Sequence, residues 1–301
     1  MAWKWTDELR PTSKGEAMTS SIPSSLSRRA AVRLGSSGLV GTLLPWSGSP
    51  VAAQNDKAPF VLVPGAWAGS WAWSKVIPLL QAAGHPVYAT TPTGLGDRVH
   101  LADPRIDLDD WVTDVVNVLE YEDLTDAILV GHSFGGFIIS GVAAQVPERL
   151  SQVVYFDALL PEKDGDSGYD FWHYPNEGIG NDYRLGLEAG WPGFEIVNPG
   201  TEEWLRGMIH DQDDAEWYIS KMVPQPMAVS STPIHLGDPA SLPHVFIYLT
   251  EDKGPAAEDD FTRIVERVRA DPAWTVIDVT GNHMILVNDP QATAEALLSL
   301  V

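Results

Sequence analysis

From Phe60 onward, short apolar runs alternate with longer stretches in which apolar residues return every three or four positions. Phe60-Val61-Leu62-Val63 is continuously apolar, as parallel strands buried on both faces are. Trp73 to Ala83 carries Val76, Leu79 and Leu80 on one side and predicts a helix, ended by Gly84-His85-Pro86. Val87-Tyr88-Ala89-Thr90 is the next strand, and Thr93-Gly94-Leu95-Gly96-Asp97-Arg98 a loop. Leu108 to Tyr121 is amphipathic, with Trp111, Val115, Val118 and Leu119 on its apolar side. Ala127-Ile128-Leu129-Val130 predicts a strand, Phe137 to Gln145 a helix and Gln152-Val153-Val154-Tyr155-Phe156 another strand. His244 to Leu249 and Trp274 to Val279 are two more, and Pro290 to about Leu300 is the last helix. Such alternation implies an α/β fold: a mostly parallel sheet with helices on both faces.

Residues from about 161 to 240 break this rhythm. They hold Trp172, Trp191, Trp204 and Trp217 and acidic patches such as Asp211, Asp213, Asp214 and Glu216. The expected organisation is one domain over 54–301, with this segment inserted as a cap between two sheet strands. Its tryptophans are expected to form the cap's own core or to line an apolar site.

The chemistry begins at Gly131-His132-Ser133-Phe134-Gly135, directly after an apolar strand and before a helix. A serine on such a strand-to-helix turn exposes its hydroxyl, which makes Ser133 the expected nucleophile. A hydroxyl needs a base, and a base needs a carboxylate to hold its tautomer. Of eight histidines, His283 is the candidate base, because Gly281-Asn282-His283-Met284 is a loop after the last strand. His132 is read as support beside the pocket, and His85 and His100 as surface residues. The acid is expected after the strand preceding that of His283. There Thr250-Glu251-Asp252-Lys253-Gly254 offers Asp252, with Glu251 second. Asp157, after the strand ending in Phe156, is a third candidate. The expected order is Ser133, Asp252, His283. An oxyanion needs donors: the N–H of Phe134 is one, and the loop Pro64-Gly65-Ala66-Trp67 is expected to supply a second. Trp67 is expected at the pocket.

Composition narrows the partners. Of 301 residues, 44% are hydrophobic and 20% charged, which is ordinary globular composition. Lys and Arg number 19 against 41 Asp and Glu, a net charge of -22. That balance repels nucleic acid and disfavours polyanionic substrates. No cysteine is present, which excludes disulfides, thiolate catalysis and cysteine-bound zinc. No apolar run is long enough for a membrane span. Residues 1–53 stand apart, rich in Ser, Gly, Ala and Pro. Ser27-Arg28-Arg29-Ala30-Ala31-Val32-Arg33 resembles a twin-arginine export signal, followed by a mildly apolar stretch and the small residues Val51 and Ala53. The expected location is periplasmic or secreted, with the cytoplasm as the alternative; Met18 offers a second start.

Taken together, the residues from about Phe60 to the C-terminus resemble the α/β-hydrolase branch that contains plant methyl esterases, hydroxynitrile lyases and related bacterial esterases. The marks are Phe60 to Trp67 with Trp71, Thr93 to Arg98, Gly131 to Gly136, Pro224-Gln225-Pro226, Thr250-Glu251-Asp252 and Gly281 to Met284. The resemblance places the loop oxyanion donor at Ala66. Pro64 departs from the family, whose members usually carry histidine there. The plant lyases have threonine where this chain has Gly65 and a cyanide-stabilising lysine where it has Met284; the esterases have glycine and commonly methionine. The resemblance therefore implies a serine carboxylesterase for small apolar or aromatic esters, with no metal or organic cofactor. A carbon-carbon lyase and a non-catalytic ligand-binding protein are the alternatives.

The mature chain is expected to begin near Gln54. N-terminal sequencing of protein from the host's periplasm or medium tests this. Replacing Arg28 and Arg29 by lysine should keep the protein in the cytoplasm, because the export pathway reads the pair.

Overall fold

Eight strands are described in the computed structural model: β1 (Phe60–Val63), β2 (Val87–Ala89), β3 (Ala127–Ser133), β4 (Leu150–Ala158), β5 (Phe194–Glu195), β6 (Gln225–Pro226), β7 (His244–Leu249) and β8 (Trp274–Val279). The described residues are 57–301 apart from 171–187, 198, 238–241 and 252–254. The leader expected over residues 1–53 lies outside them. Six strands form one sheet in the order β2-β1-β3-β4-β7-β8, and every pairing within it is parallel. β5 and β6 make a separate antiparallel pair.

Alternate residues of each strand leave the sheet on opposite sides, and both sides are covered. Val61, Val63, Leu129, Val153 and Phe246 join a cluster with Trp111, Val115, Phe137, Ile264 and Val268. Phe60, Leu62, Val130, Phe156 and Ile247 join another with Trp73, Leu80, Leu286 and Leu297. The first set lies against α2 (Leu108–Tyr121), α3 (Gly135–Gln145) and a helix over Pro255–Ala270; the second against α1 (Ile77–Ala82) and the C-terminal helices Ile285–Asn288 and Pro290–Leu298. Burying each large apolar side chain contributes about 1.5–3 kcal/mol, so the continuous apolar runs of the inner strands select a sheet covered on both faces, while Thr275 and Asp278 of the edge strand β8 stay exposed.

Three local outcomes differ from the sequence expectation. The helix expected from Trp73 starts only at Ile77, after a 3-10 turn over Ser70–Trp73. Pro78 explains this: it has no N–H and fits only a helix's first turn. The helix over Pro255–Ala270, which buries Phe261, Ile264, Val265 and Val268, was not expected although that spacing is helical. His85, expected at the surface, is buried with Nδ1 2.9 Å from the carbonyl oxygen of Ala58. The Thr93–Arg98 run is a brace. Arg98 donates to Thr91 O and Asp114 Oδ1, and Asp114 also accepts from the N–H and hydroxyl of Thr93.

Between β4 and β7, which are sheet neighbours, the chain makes a long excursion. It contains β5, α4 (Pro199–Met208), α5 (Gln212–Lys221), β6 and α6 (Met227–Ser231). From β1 the sheet grows first to β2 on one side, then returns past β1 to β3 on the other. The carboxyl ends of β1 and β3 therefore flank a topological switch point, where open α/β sheets bind ligands.

The helix after β3 touches the sheet at Gly136, where an added β-carbon would lie 1.8 Å from the carbonyl oxygen of Leu159. Gly136→Ala must displace backbone. It should cost about 1–3 kcal/mol or more, read as a lower urea midpoint with an unchanged slope.

Candidate active site

β3 ends in Ser133, whose φ of 54 lies in the left-handed region. A non-glycine residue there is strained and needs its surroundings to hold it. Those surroundings are tight. At Gly65, in the loop after β1, an added β-carbon would lie 2.9 Å from Ser133 Cβ and 3.4 Å from its Oγ. Glycine lets that loop close onto the serine. Beyond Ser133 the chain enters α3, with Phe134 as N-cap. Among the described residues, neither the N–H of Phe134 nor that of Ala66 donates to a protein acceptor. Free N–H groups at a helix N-terminus favour developing negative charge.

β4 lies beside β3, and their register shifts between His132 and Ser133: His132 faces Phe156, but Ser133 faces Ala158. The shift leaves Asp157 as the extra residue of a bulge, with φ 44. Its side chain is 0% exposed. Asp157 Oδ1 accepts the N–H of Leu249 at 3.2 Å, and Oδ2 lies 2.7 Å from Nδ1 of His283. His283 is itself buried, at 5% exposure. Asp252, the expected acid, lies outside the described residues. The carboxylate on His283 Nδ1 is that of Asp157, the third of the sequence candidates. The sequence signal for this contact is a lone carboxylate within the apolar run Val153 to Leu160, since a buried charge needs partners.

The loop after β8 that carries His283 is held on two sides. Asn282 Oδ1 accepts the N–H of Met284 at 3.0 Å, and Asn282 Nδ2 donates to Met208 O at 2.8 Å. Asn288 Nδ2 donates to the same Met208 oxygen, and Asn288 Oδ1 accepts the His210 N–H. Met208 ends α4, so the excursion grips the histidine loop. It also brings an aromatic ring to the site: Trp204 lies 5.7 Å from the His283 ring, with Phe261 at 5.1 Å and His132 at 4.5 Å. Of the tryptophans in question, Trp204 reaches the site, whereas Trp217 packs on Trp71 at 5.6 Å; Trp172 lies outside the described residues. Trp67 is almost buried, with its N–H and indole N–H donating to Gln225 Oε1 and Glu195 O.

His132 Nε2 lies 2.9 Å from the carbonyl oxygen of His283. A carbonyl only accepts, so Nε2 carries the proton. Burial, and then the charge of the His283 ring, hold the His132 imidazole well below its usual pKa. Together a serine hydroxyl, an imidazole, its carboxylate and two free N–H groups share one end of the sheet. That set can activate a hydroxyl toward a carbonyl carbon.

The alpha/beta hydrolase family model matches residues 60–296. A carbendazim-hydrolyzing esterase from Nocardioides sp. (strain SG-4G) is 32% identical over 250 residues, covering 81% of this chain and 99% of the relative. Polyneuridine aldehyde esterase from Rauvolfia serpentina is 26% identical over 263 residues, covering 83% and 97%. An extracellular α/β-hydrolase from a Paenibacillus species superposes with TM-score 0.69 at 28% identity, covering 81% and 98%.

The His132 shift has a consequence for stability. In the unfolded chain a histidine binds a proton below pH ~6.5, whereas folded His132 resists it. The unfolded state then binds more protons, so stability is full above pH ~6.5 and falls as the pH drops through it. Urea midpoints between pH 8 and 5 should decline, and His132→Gln should flatten the decline by about one proton. An equal slope in the variant contradicts the assignment.

Proposed function

Because the chain belongs to the α/β-hydrolase family, we propose that it is a carboxylic ester hydrolase working through Ser133, His283 and Asp157. The observation that carries the reading is the 2.7 Å contact between His283 Nδ1 and a fully buried Asp157, beside a serine held at positive φ. His283 Nε2 takes the hydroxyl proton as Ser133 Oγ attacks the ester carbonyl. The carbonyl electron pair moves to oxygen, where the N–H groups of Ala66 and Phe134 receive it. His283 returns the proton to the departing alcohol, and then activates the water that releases the acid. Asp157 keeps the His283 proton on Nδ1 and stabilises the imidazolium. His132, held neutral, adds no second positive charge beside it.

The excursion between β4 and β7 serves as the cap. Its Trp204, with Phe261, gives the imidazole an aromatic surround that suits a small apolar or aromatic ester and excludes water. The esterase names of two relatives agree with this class of reaction. Gly65 and Met284 favour ester hydrolysis over cyanohydrin cleavage: Met284 is buried among apolar side chains and cannot hold a leaving anion. Export by the leader, and hence a periplasmic or secreted site of action, belongs to the same proposal.

A panel of aryl, alkyl and methyl esters, with a fluorophosphonate probe of the serine, tests the reading. Ser133→Ala should abolish probe labelling and lower kcat by several orders of magnitude. Asp157→Asn should lower kcat by up to ~10⁴-fold, whereas Asp252→Asn should do much less. If Asp252→Asn is the damaging change, the acid assignment is wrong; a wild-type chain that neither labels nor turns over any ester rejects the esterase.

A further inference from the structure

The loop that carries Ala66 is strained and is held from outside the sheet. Trp67, the next residue, has φ 58. For a bulky residue the left-handed region costs about 1–2 kcal/mol, so the conformation persists only if other contacts enforce it. Those contacts come from the cap. The Trp67 N–H donates to Gln225 Oε1 at 2.9 Å, the indole N–H to Glu195 O at 3.3 Å, and the Trp67 carbonyl accepts the N–H of Val223 at 3.4 Å.

Gln225 is itself oriented. β5 and β6 place Glu195 directly opposite Gln225, and both side chains are buried. Glu195 Oε2 accepts from Gln225 Nε2 at 2.8 Å and from the Ser230 hydroxyl at 3.1 Å, and Oε1 accepts from the Tyr169 hydroxyl at 3.4 Å. A carboxylate accepts and does not donate, so it must face the NH₂ of Gln225. The amide oxygen of Gln225 is thereby turned to Trp67. A flipped amide would set NH₂ against the Trp67 N–H and leave two buried donors facing each other, which is costly.

We propose that Gln225, oriented by Glu195, is a positioning residue for the oxyanion loop: it sets where the Ala66 N–H points by holding the Trp67 N–H. This rests on the esterase reading, in which Ala66 is an oxyanion donor. The cap thereby acts on the reaction through the backbone as well as by covering the site. Oxyanion donors stabilise the transition state more than the bound ester, so loosening the loop lowers kcat and leaves KM nearly unchanged.

The test uses the purified full chain, its best ester from the panel and an aryl trifluoromethyl ketone. The ketone mimics the tetrahedral state: Ser133 Oγ bonds to its carbonyl carbon, the π pair moves to oxygen, and the hydroxyl proton goes to His283. Gln225→Met keeps the side-chain length and removes its hydrogen bonds to Trp67, Glu195 and Ser230. It should lower kcat about 10- to 100-fold, below the ~10²–10³-fold of losing an oxyanion donor outright. KM should stay within about twofold, and affinity for the ketone should fall with kcat, as transition-state complementarity requires. The exchanged pair Glu195→Gln with Gln225→Glu restores an acceptor for Trp67 and a donor between the two positions, and should recover most of the loss. A kcat within twofold of wild type in Gln225→Met, or a rise in KM alone, overturns the proposal. Should that variant fail to fold, hydrogen exchange on the wild type decides: an unprotected Trp67 amide overturns the proposal, and a protected one supports it. A wild-type chain inactive on every ester rejects the esterase reading instead, and so separates the two failures.

Discussion

A carboxylate with no exposed surface must be satisfied where it stands, and Asp157 is such a group. Its oxygens bind the N–H of Leu249 at the end of β7 and Nδ1 of His283 in the loop after β8. One buried side chain on β4 thus joins the carboxyl ends of three strands. It is available for this because the bulge opposite Ser133 takes it out of the strand's alternation. The same register shift belongs to the turn that raises Ser133. The backbone geometry of Ser133 and the position of Asp157 are two consequences of a single irregularity in the sheet.

The excursion between β4 and β7 reaches this site from two directions. Asn282 and Asn288 donate to Met208 O at the end of α4 and fasten the histidine loop. Gln225 and Glu195 fasten the loop after β1. A third tie, Lys75 to Asp214 at 2.5 Å, lies farther out; such partly exposed pairs contribute only about 0–1 kcal/mol. The buried amide and carboxylate contacts are therefore the ones that decide the geometry of the site.

The sheet was legible because its inner strands are mostly continuous apolar runs separated by helical spacing. β1, β7 and β8, and the helix over Leu108–Tyr121, follow the sequence expectation in residue range. The strand-to-helix turn at Ser133 was legible from its glycines and from the strand before it, and the loop of His283 from its glycine after the last strand. Asp252 was the expected acid, since it follows the strand preceding that of the histidine, and it lies outside the described residues. Chain order cannot rank carboxylates at the ends of two neighbouring parallel strands, because both ends open on the same crevice. The pairing shift at Ser133 places Asp157 against His283, and a shift of one residue between strands is set by their packing rather than by chain order.

The chain alone therefore determined the layers, the parallel pairing, the strand-to-helix turn at Ser133 and the family resemblance. Each depends on residues close together in sequence, through side-chain period, glycine geometry and apolar runs. Only the tertiary structure decided that Asp157 is the partner of His283, that Trp204 rather than Trp217 stands beside the imidazole, and that Gln225 holds the Trp67 N–H. Those contacts join residues that lie 126, 79, 146 and 158 positions apart only after the sheet has brought their elements together. Short hydrogen bonds and ring contacts between such residues depend on register and backbone direction at the strand ends, and these are set by the packing of the whole sheet against its helices and the excursion between β4 and β7.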